Sequence, residues 1–124
     1  AAIKDEDNAH PIADAWRLTI AAIVHRIAGG DYGLCDGVED VTMTDRYVAF
    51  NADYVAHFGE TIIDLPLETW TTSIAQWMGD WWDCLIDLYT AESGSSDLVL
   101  ELRVYEDAER RSGYRFEVGM IYVP

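Results

Sequence analysis

Residues 82–122 read WDCLIDLYTAESGSSDLVLELRVYEDAERRSGYRFEVGMIY, and three runs within them alternate in step. Trp82, Cys84, Ile86 and Leu88 fall on one side of an extended chain; so do Leu98, Leu100, Leu102 and Val104, and then Tyr114, Phe116, Val118, Met120 and Tyr122. Successive strand side chains point to opposite faces, so each run buries one side and wets the other. The wet sides read Asp83, Leu85, Asp87, Tyr89; Val99, Glu101, Arg103, Tyr105; and Arg115, Glu117, Gly119, Ile121. Residues 91–96 and 107–113 are polar and turn-rich, which lets consecutive strands pair directly as a half-buried antiparallel meander.

Upstream the period changes from two to between three and four. Pro11 suits a first helical position, and Ile12, Ala15/Trp16, Thr19/Ile20, Ile23 and Ile27 recur at helical spacing as far as Gly29-Gly30, which can close the helix. Residues 31–40 read as a loop. Thr42 or Thr44 can cap a second helix over 45–58, with Tyr47, Phe50/Asn51, Tyr54 and Phe58 along one stripe and Gly59 just past its end. Residues 61–64 are a short strand candidate stopped by Pro66, and 67–70 a single helical turn. Residues 72–78 fit either period; their threonines and the turn-forming Gly79-Asp80 favour a strand. The expected fold is α+β, with two N-terminal helices packed on one face of a four- to five-stranded antiparallel meander sheet. It spans 1–124 as a single domain, with 1–9 a mobile lead-in.

The charge bounds the function. Eight Lys/Arg against 23 Asp/Glu give a net charge of −15, while 50% of the 124 residues are hydrophobic, so this is an acidic globular chain and not a disordered tail. Nucleic-acid binding is excluded on the same ground, since affinity for phosphate comes largely from Lys and Arg. No segment has the roughly 20 apolar residues that cross a bilayer. Cys35 and Cys84 have no metal-ligand spacing and read as free thiols in a reducing cytoplasm, the default for a chain with no evident leader.

The stretch 47–102 contains no Lys or Arg, yet holds ten acids and four of the five tryptophans, Trp70, Trp77, Trp81 and Trp82. Trp81-Trp82 on a strand sends its indoles to opposite faces; if Trp82 is core, Trp81 is the exposed anchor. The expected contact surface is therefore Trp81, Asp83, Asp87, Tyr89, Glu101 and Tyr105. Catalytic signals are weak: His10, His25 and His57 are scattered, with no nucleophile elbow, zinc motif or phosphate loop, and nothing singles out a pair of carboxylates. Asp80, Asp83 and Asp87 would share a face only on a helix, so no metal, catalytic residue or cofactor is expected.

Residues Asp87-Leu88-Tyr89-Thr90 and the turn through Ser96-Asp97-Leu98 resemble a stretch in a family of small, uncharacterised bacterial domains, whose pattern runs Asp-Leu-Trp-Thr, an acidic glycine-containing turn, then Ser-Asp-Leu. Tyr89 here replaces the tryptophan, Ser93 a second acid and Ser95 a basic residue. The resemblance implies a bacterial cytoplasmic protein. Some such domains act as immunity proteins beside secreted toxins, and the family carries over no catalytic residues.

The expectation is a non-enzymatic immunity-type inhibitor that neutralises a cationic toxin or effector by occluding its active site, drawn by charge and anchored by aromatics. The alternatives are a small ligand-binding domain or enzyme, with a helix–sheet pocket lined by Trp16, Tyr54, Trp77 and Tyr114, and a DNA mimic, whose acidic surface Arg103, Arg110, Arg111 and Arg115 would interrupt. A homodimer would instead hide Leu85, Val99 and Ile121.

Overall fold

The computed structural model describes residues 2–124. The three alternating runs become β4 (Trp82–Thr90), β5 (Gly94–Glu106) and β6 (Tyr114–Tyr122), paired antiparallel in chain order. Ahead of them stand β1 (His10–Pro11), α1 (Asp14–Ala28), β2 (Val41–Met43), α2 (Asp45–Phe58), α3 (Thr69–Thr72) and β3 (Ile74–Trp77). The sheet has six strands in the order β1-β3-β4-β5-β6-β2, and β2 joins β6 in parallel. This corrects the expected four- to five-stranded, wholly antiparallel meander with two helices.

Only α1 covers the inner face in the expected manner. Trp16, Ile20, Ile23, Val24 and Ile27 are buried against Trp82, Cys84, Ile86, Leu88, Leu98, Leu100, Leu102, Val104, Phe116 and Val118. Each aliphatic or aromatic side chain so buried contributes roughly 1.5–3 kcal/mol relative to exposure. Gly30, at φ +90°, ends the helix: its N–H reaches Ile27 O and that of Asp31 reaches Arg26 O, the paired bonds of a Schellman motif. α2 ends as expected at Gly59, whose φ is +83°. It lies alongside β6, and only Asn51 and Val55 are fully buried in it.

Side chains finish what the short outer strands leave open. β3 pairs β4 only as far as Leu85; beyond it, Thr69 Oγ1 donates to Asp87 O at 2.7 Å and Asp87 N donates to Ser73 Oγ at 2.9 Å. β2 covers β6 only from Phe116 to Val118; beyond it, Asn51 Nδ2 donates to Gly119 O at 3.0 Å and Asn51 Oδ1 accepts from Ile121 N at 2.8 Å. An asparagine amide sets an N–H donor beside a carbonyl acceptor in the spacing of a peptide group, so it stands in for a strand residue. The strand expected over 61–64 is a single bridge, Ile62 to Thr90, and the turn expected over 67–70 is α3.

Two bulges interrupt the ladders, and the first shifts the expected faces. Leu100 pairs Ile121 while Leu102 pairs Val118, so β6 carries an extra residue at Gly119-Met120. Ile121 is consequently buried, where the alternation placed it outside, and Tyr122, expected inside, stands opposite Val99 on the outer side. A Cβ at Gly119 would meet Glu101 O at 3.0 Å, which is why the bulge takes glycine. The second bulge lies between Asp87 and Tyr89, where β5 accommodates Ser96 by a bond from its Oγ to Leu88 O at 2.6 Å.

Of the expected lead-in, Ala1 lies outside the described residues and the rest is tied to the sheet. Trp82 Nε1 donates to Ile3 O at 2.9 Å, Gln76 Nε2 donates to Asp5 O and Glu6 O, and Lys4 pairs with Glu106 at 2.7 Å. Asp5 takes the His10 ring at 2.9 Å and the Asp7 and Asn8 amides. These partners, His10 foremost, lower the Asp5 pKa to about 2. A depressed carboxylate contributes stability above its unfolded pKa of about 3.9, and loses that contribution as pH falls through the folded value. The Asp7 and Asn8 amide resonances are therefore expected to titrate with a midpoint near 2. A midpoint near that of an unpaired aspartate would show that the clasp does not form in solution.

Candidate partner-binding surface

The outer face carries Asp83, Leu85, Asp87 and Tyr89 from β4, Val99, Glu101, Arg103 and Tyr105 from β5, and Arg115, Glu117 and Tyr122 from β6. α1 lies over the inner face and α3 against β4, while α2 runs alongside β6 with its first turn, Arg46 and Tyr47, bordering Glu101, Arg103 and Glu117. Most of these side chains are half-exposed; Val99, at 5%, is screened by its neighbours. All six expected contact residues share this face or its approach. The structure nonetheless divides them into two environments.

Toward the β3–β4 turn, Trp81, Asp83 and Tyr105 are engaged by arginines. The Arg103 guanidinium lies 4.5 Å from the Trp81 ring centroid and 3.5 Å from the Asp83 carboxylate, which also accepts from Trp81 Nε1 at 2.8 Å. Arg115 stacks 4.2 Å from the Tyr105 ring and reaches Glu117 at 3.7 Å. Each exposed cation–π contact contributes about 0.5–1 kcal/mol. Trp81 is thus half-covered within the face.

Toward the β4–β5 turn, Asp87, Tyr89 and Glu101 have a different setting. Among the described residues no cation pairs with Asp87 or Glu101. Asp87 and Tyr89 sit among residues 51–73, 87–99 and 119–124, none of which is Lys or Arg, whereas Glu101 stands at the border and shares a surface cavity with Arg46 and Arg103. The segregation of charge along the chain has become a segregation in space. Asp87 faces Val99, Val99 faces Tyr122, and Leu85 faces Glu101, so an apolar strip lies between unpaired carboxylates. The Glu101 carboxylate folds over Gly119, where a Cβ would meet its Oε1 at 3.4 Å. Burial, then the Glu101 charge, push the Tyr122 phenol up. At the turn, Glu60 accepts from Thr90 Oγ1 and Ser93 Oγ, and Glu92 accepts from Thr61, whose amide holds its carboxyl below the usual range.

Tyr122 was missed because the bulge inverts its side; the glycine within an alternating run was the available signal. The partners of Arg103 and Arg115 were missed because alternation assigns a face but not a neighbour.

The four residues expected to line a helix–sheet pocket do not come together around one. Trp16, Trp77 and Tyr114 pack round Trp82 with centroids at 5.0, 4.5 and 6.3 Å, while Tyr54 stacks on Phe50 across α2. Cavities lie instead at the surface: about 130 Å³ between Arg46, Tyr47, Glu101 and Glu117, and about 260 Å³ beside Phe50 and Tyr54. The Asp80–Asp87 segment is turn and strand, and among the described residues no three His, Cys, Asp or Glu side chains converge as for a metal. His25 pairs with Asp64 and His57 Nδ1–H donates to Asp53 O. Both cysteines are free: burial pushes the Cys84 thiol up, and Asp31 raises that of Cys35. Among the described residues no helix is long and apolar enough to cross a membrane.

Comparison with curated proteins and with solved structures finds no match. A family model described as a domain of unknown function, DUF7668, matches residues 24–124, from within α1 to the end of the chain, including both outer-face environments. The chain belongs to the DUF7668 family.

Proposed function

We propose that this protein is an acidic binding domain that captures a basic protein through the base-free end of its outer sheet face. The observation that carries the reading is the pair of carboxylates without counter-cations, Asp87 and Glu101, flanking the strip Leu85, Val99 and Tyr122. A net charge of −15 steers a cationic partner from a distance, and Leu85 and Tyr122, half-exposed around the buried Val99, supply contact area that excludes water once it has docked. Trp81, Asp83 and Tyr105 form the flank of the interface, where Arg103 and Arg115 repel a cation and so set its register. The finer reading is an immunity-type inhibitor that covers the active site of a cationic bacterial toxin or effector in the cytoplasm. Its support is the resemblance of the Asp87–Leu98 stretch to small bacterial domains. The action is occlusion and requires no bond-making.

The test is affinity capture from source cells, followed by association kinetics with the purified basic protein at low and high salt. D87K/E101K is expected to slow association at least ten-fold and to flatten its salt dependence. D14K/D36K makes the same change in net charge at exposed sites on and beside α1, across the sheet from this face, and is expected to stay within about three-fold of the parent. Equal effects of the two variants, or capture of no basic protein, would overturn the proposal.

A further inference from the structure

Helix α2 presents a second surface. Phe50, Asp53, Tyr54 and His57 fall at i, i+3, i+4 and i+7, so they share one flank. They line a depression of about 260 Å³, and a second of about 250 Å³ continues it past Tyr54 and His57 to Phe58. Phe50 is 42% exposed, large for an aromatic ring, and stacks on Tyr54 with centroids 5.8 Å apart and planes at 28°. Tyr54 is a fixed wall, because its hydroxyl accepts the Val123 N–H at 3.1 Å. His57 is held by its Nδ1–H bond to Asp53 O at 2.8 Å. The Asp53 side chain is exposed and has neither an ion pair nor a hydrogen bond among the described residues.

Stacked aromatic faces attract cations through their quadrupole, and a carboxylate beside them accepts the charge-assisted hydrogen bonds of a guanidinium or ammonium. The one arginine of the helix, Arg46, is stacked on Tyr47 and bonded to its hydroxyl, and residues 47–102 contain no Lys or Arg. A second copy of the chain is a poor occupant, because two molecules of charge −15 repel one another. We infer that this flank of α2 receives an arginine side chain of the basic partner, its guanidinium stacked on the Phe50–Tyr54 pair and bonded to Asp53. The inference rests on the reading that the partner is basic, and it adds an anchor on the helix to the contacts on the sheet.

The probe is N-acetyl-arginine amide, titrated against the full chain by two-dimensional NMR, with the uncharged N-acetyl-citrulline amide as control. The arginine probe is expected to saturate in the millimolar range and to shift Phe50, Tyr54, His57 and Phe58 selectively, with at least five-fold smaller shifts from citrulline. D53N is expected to weaken it at least five-fold, and F50L, at an exposed position that tolerates leucine, to weaken it similarly. Equal shifts from both probes, or shifts spread over exposed acids such as Asp97 and Glu109, would overturn the inference. The titration needs no partner, so the two proposals fail separately. Capture that depends on Asp87 and Glu101 without arginine binding at α2 removes only the helix anchor. Arginine binding with capture indifferent to Asp87 and Glu101 removes only the sheet contact.

Discussion

Trp82→Ala is expected to lower the unfolding free energy by about 3–5 kcal/mol, the range for truncating a large buried aromatic. Trp82 is fully buried where α1, β3, β6 and the N-terminal segment meet. Trp77 and Trp16 lie 4.5 and 5.0 Å away, and Tyr114 lies 6.3 Å away at an interplanar angle of 72°. No neighbour can collapse into the space without leaving its own contacts, so most of the volume stays as a cavity. The indole also donates to Ile3 O at 2.9 Å, and its loss frees the segment that Gln76 and Lys4 hold only at the periphery. Two milder variants separate these effects. Trp82→Phe keeps much of the ring but loses the donor, and is expected to cost about 1–3 kcal/mol and to release residues 2–6. Trp16→Phe gives up no hydrogen bond, because the buried Trp16 Nε1 has no acceptor among the described residues, and its ring packs edge-to-face on Trp82 and Tyr114. Urea unfolding followed by far-UV circular dichroism measures all three. A Trp82→Ala midpoint within about 1 kcal/mol of the parent would show that the aromatic cluster is not the stabilising centre.

The fold was legible where a long run keeps one period. Nine residues of β4 alternate in burial without a break, and α2 stops at the glycine that can adopt a left-handed φ. The Gly79-Asp80 turn is closed by Met78 N to Trp81 O at 2.7 Å, which settles the ambiguous 72–78 segment as mostly strand, β3. Strands β1 and β2 are two and three residues long, too short for any period, and exist because a neighbouring edge offers them partners. The parallel pairing of β2 depends on where the 31–40 loop returns, which no local pattern encodes. The candidate surface was half legible for the same reason. Alternation placed Asp83, Asp87, Glu101 and Tyr105 on a common face, but pairing across strands decides which acid meets an arginine. Asp83 lies opposite Arg103, whereas Asp87 lies opposite Val99. Asn51 was legible only as part of an amphipathic stripe, and its role emerges where β2 runs out.

The second large effect is expected at Asn51, which is 0% exposed. Asn51→Ala removes the partners of Gly119 O and Ile121 N together, and each buried backbone group left unsatisfied costs about 1–3 kcal/mol. A loss of about 2–4 kcal/mol follows, since some water reaches an edge. Asn51→Asp is expected to be worse at neutral pH, near the roughly 3–5 kcal/mol of a buried charge without a partner, because an anionic oxygen replaces the donor facing Gly119 O. Its sign with pH is opposite to that of Asp5. Burial raises the folded-state pKa of the introduced carboxyl, so the penalty is largest above that value and shrinks as pH falls, when the protonated group can donate to Gly119 O again. Urea unfolding near pH 7 and pH 5, each against the parent, measures this difference. The consequence reaches the candidate surface. A one-residue slip in β6 reverses every side chain beyond it, exchanging Ile121 and Tyr122 between core and outer face. Asn51→Leu, which keeps the volume and loses the bonds, is therefore expected to speed amide exchange at Met120, Ile121 and Tyr122 well before it affects β4. It should weaken partner capture more than its stability loss alone would. If exchange at those three amides matches the parent, pairing with β5 alone holds the bulge, and Asn51 has no part in presenting Tyr122.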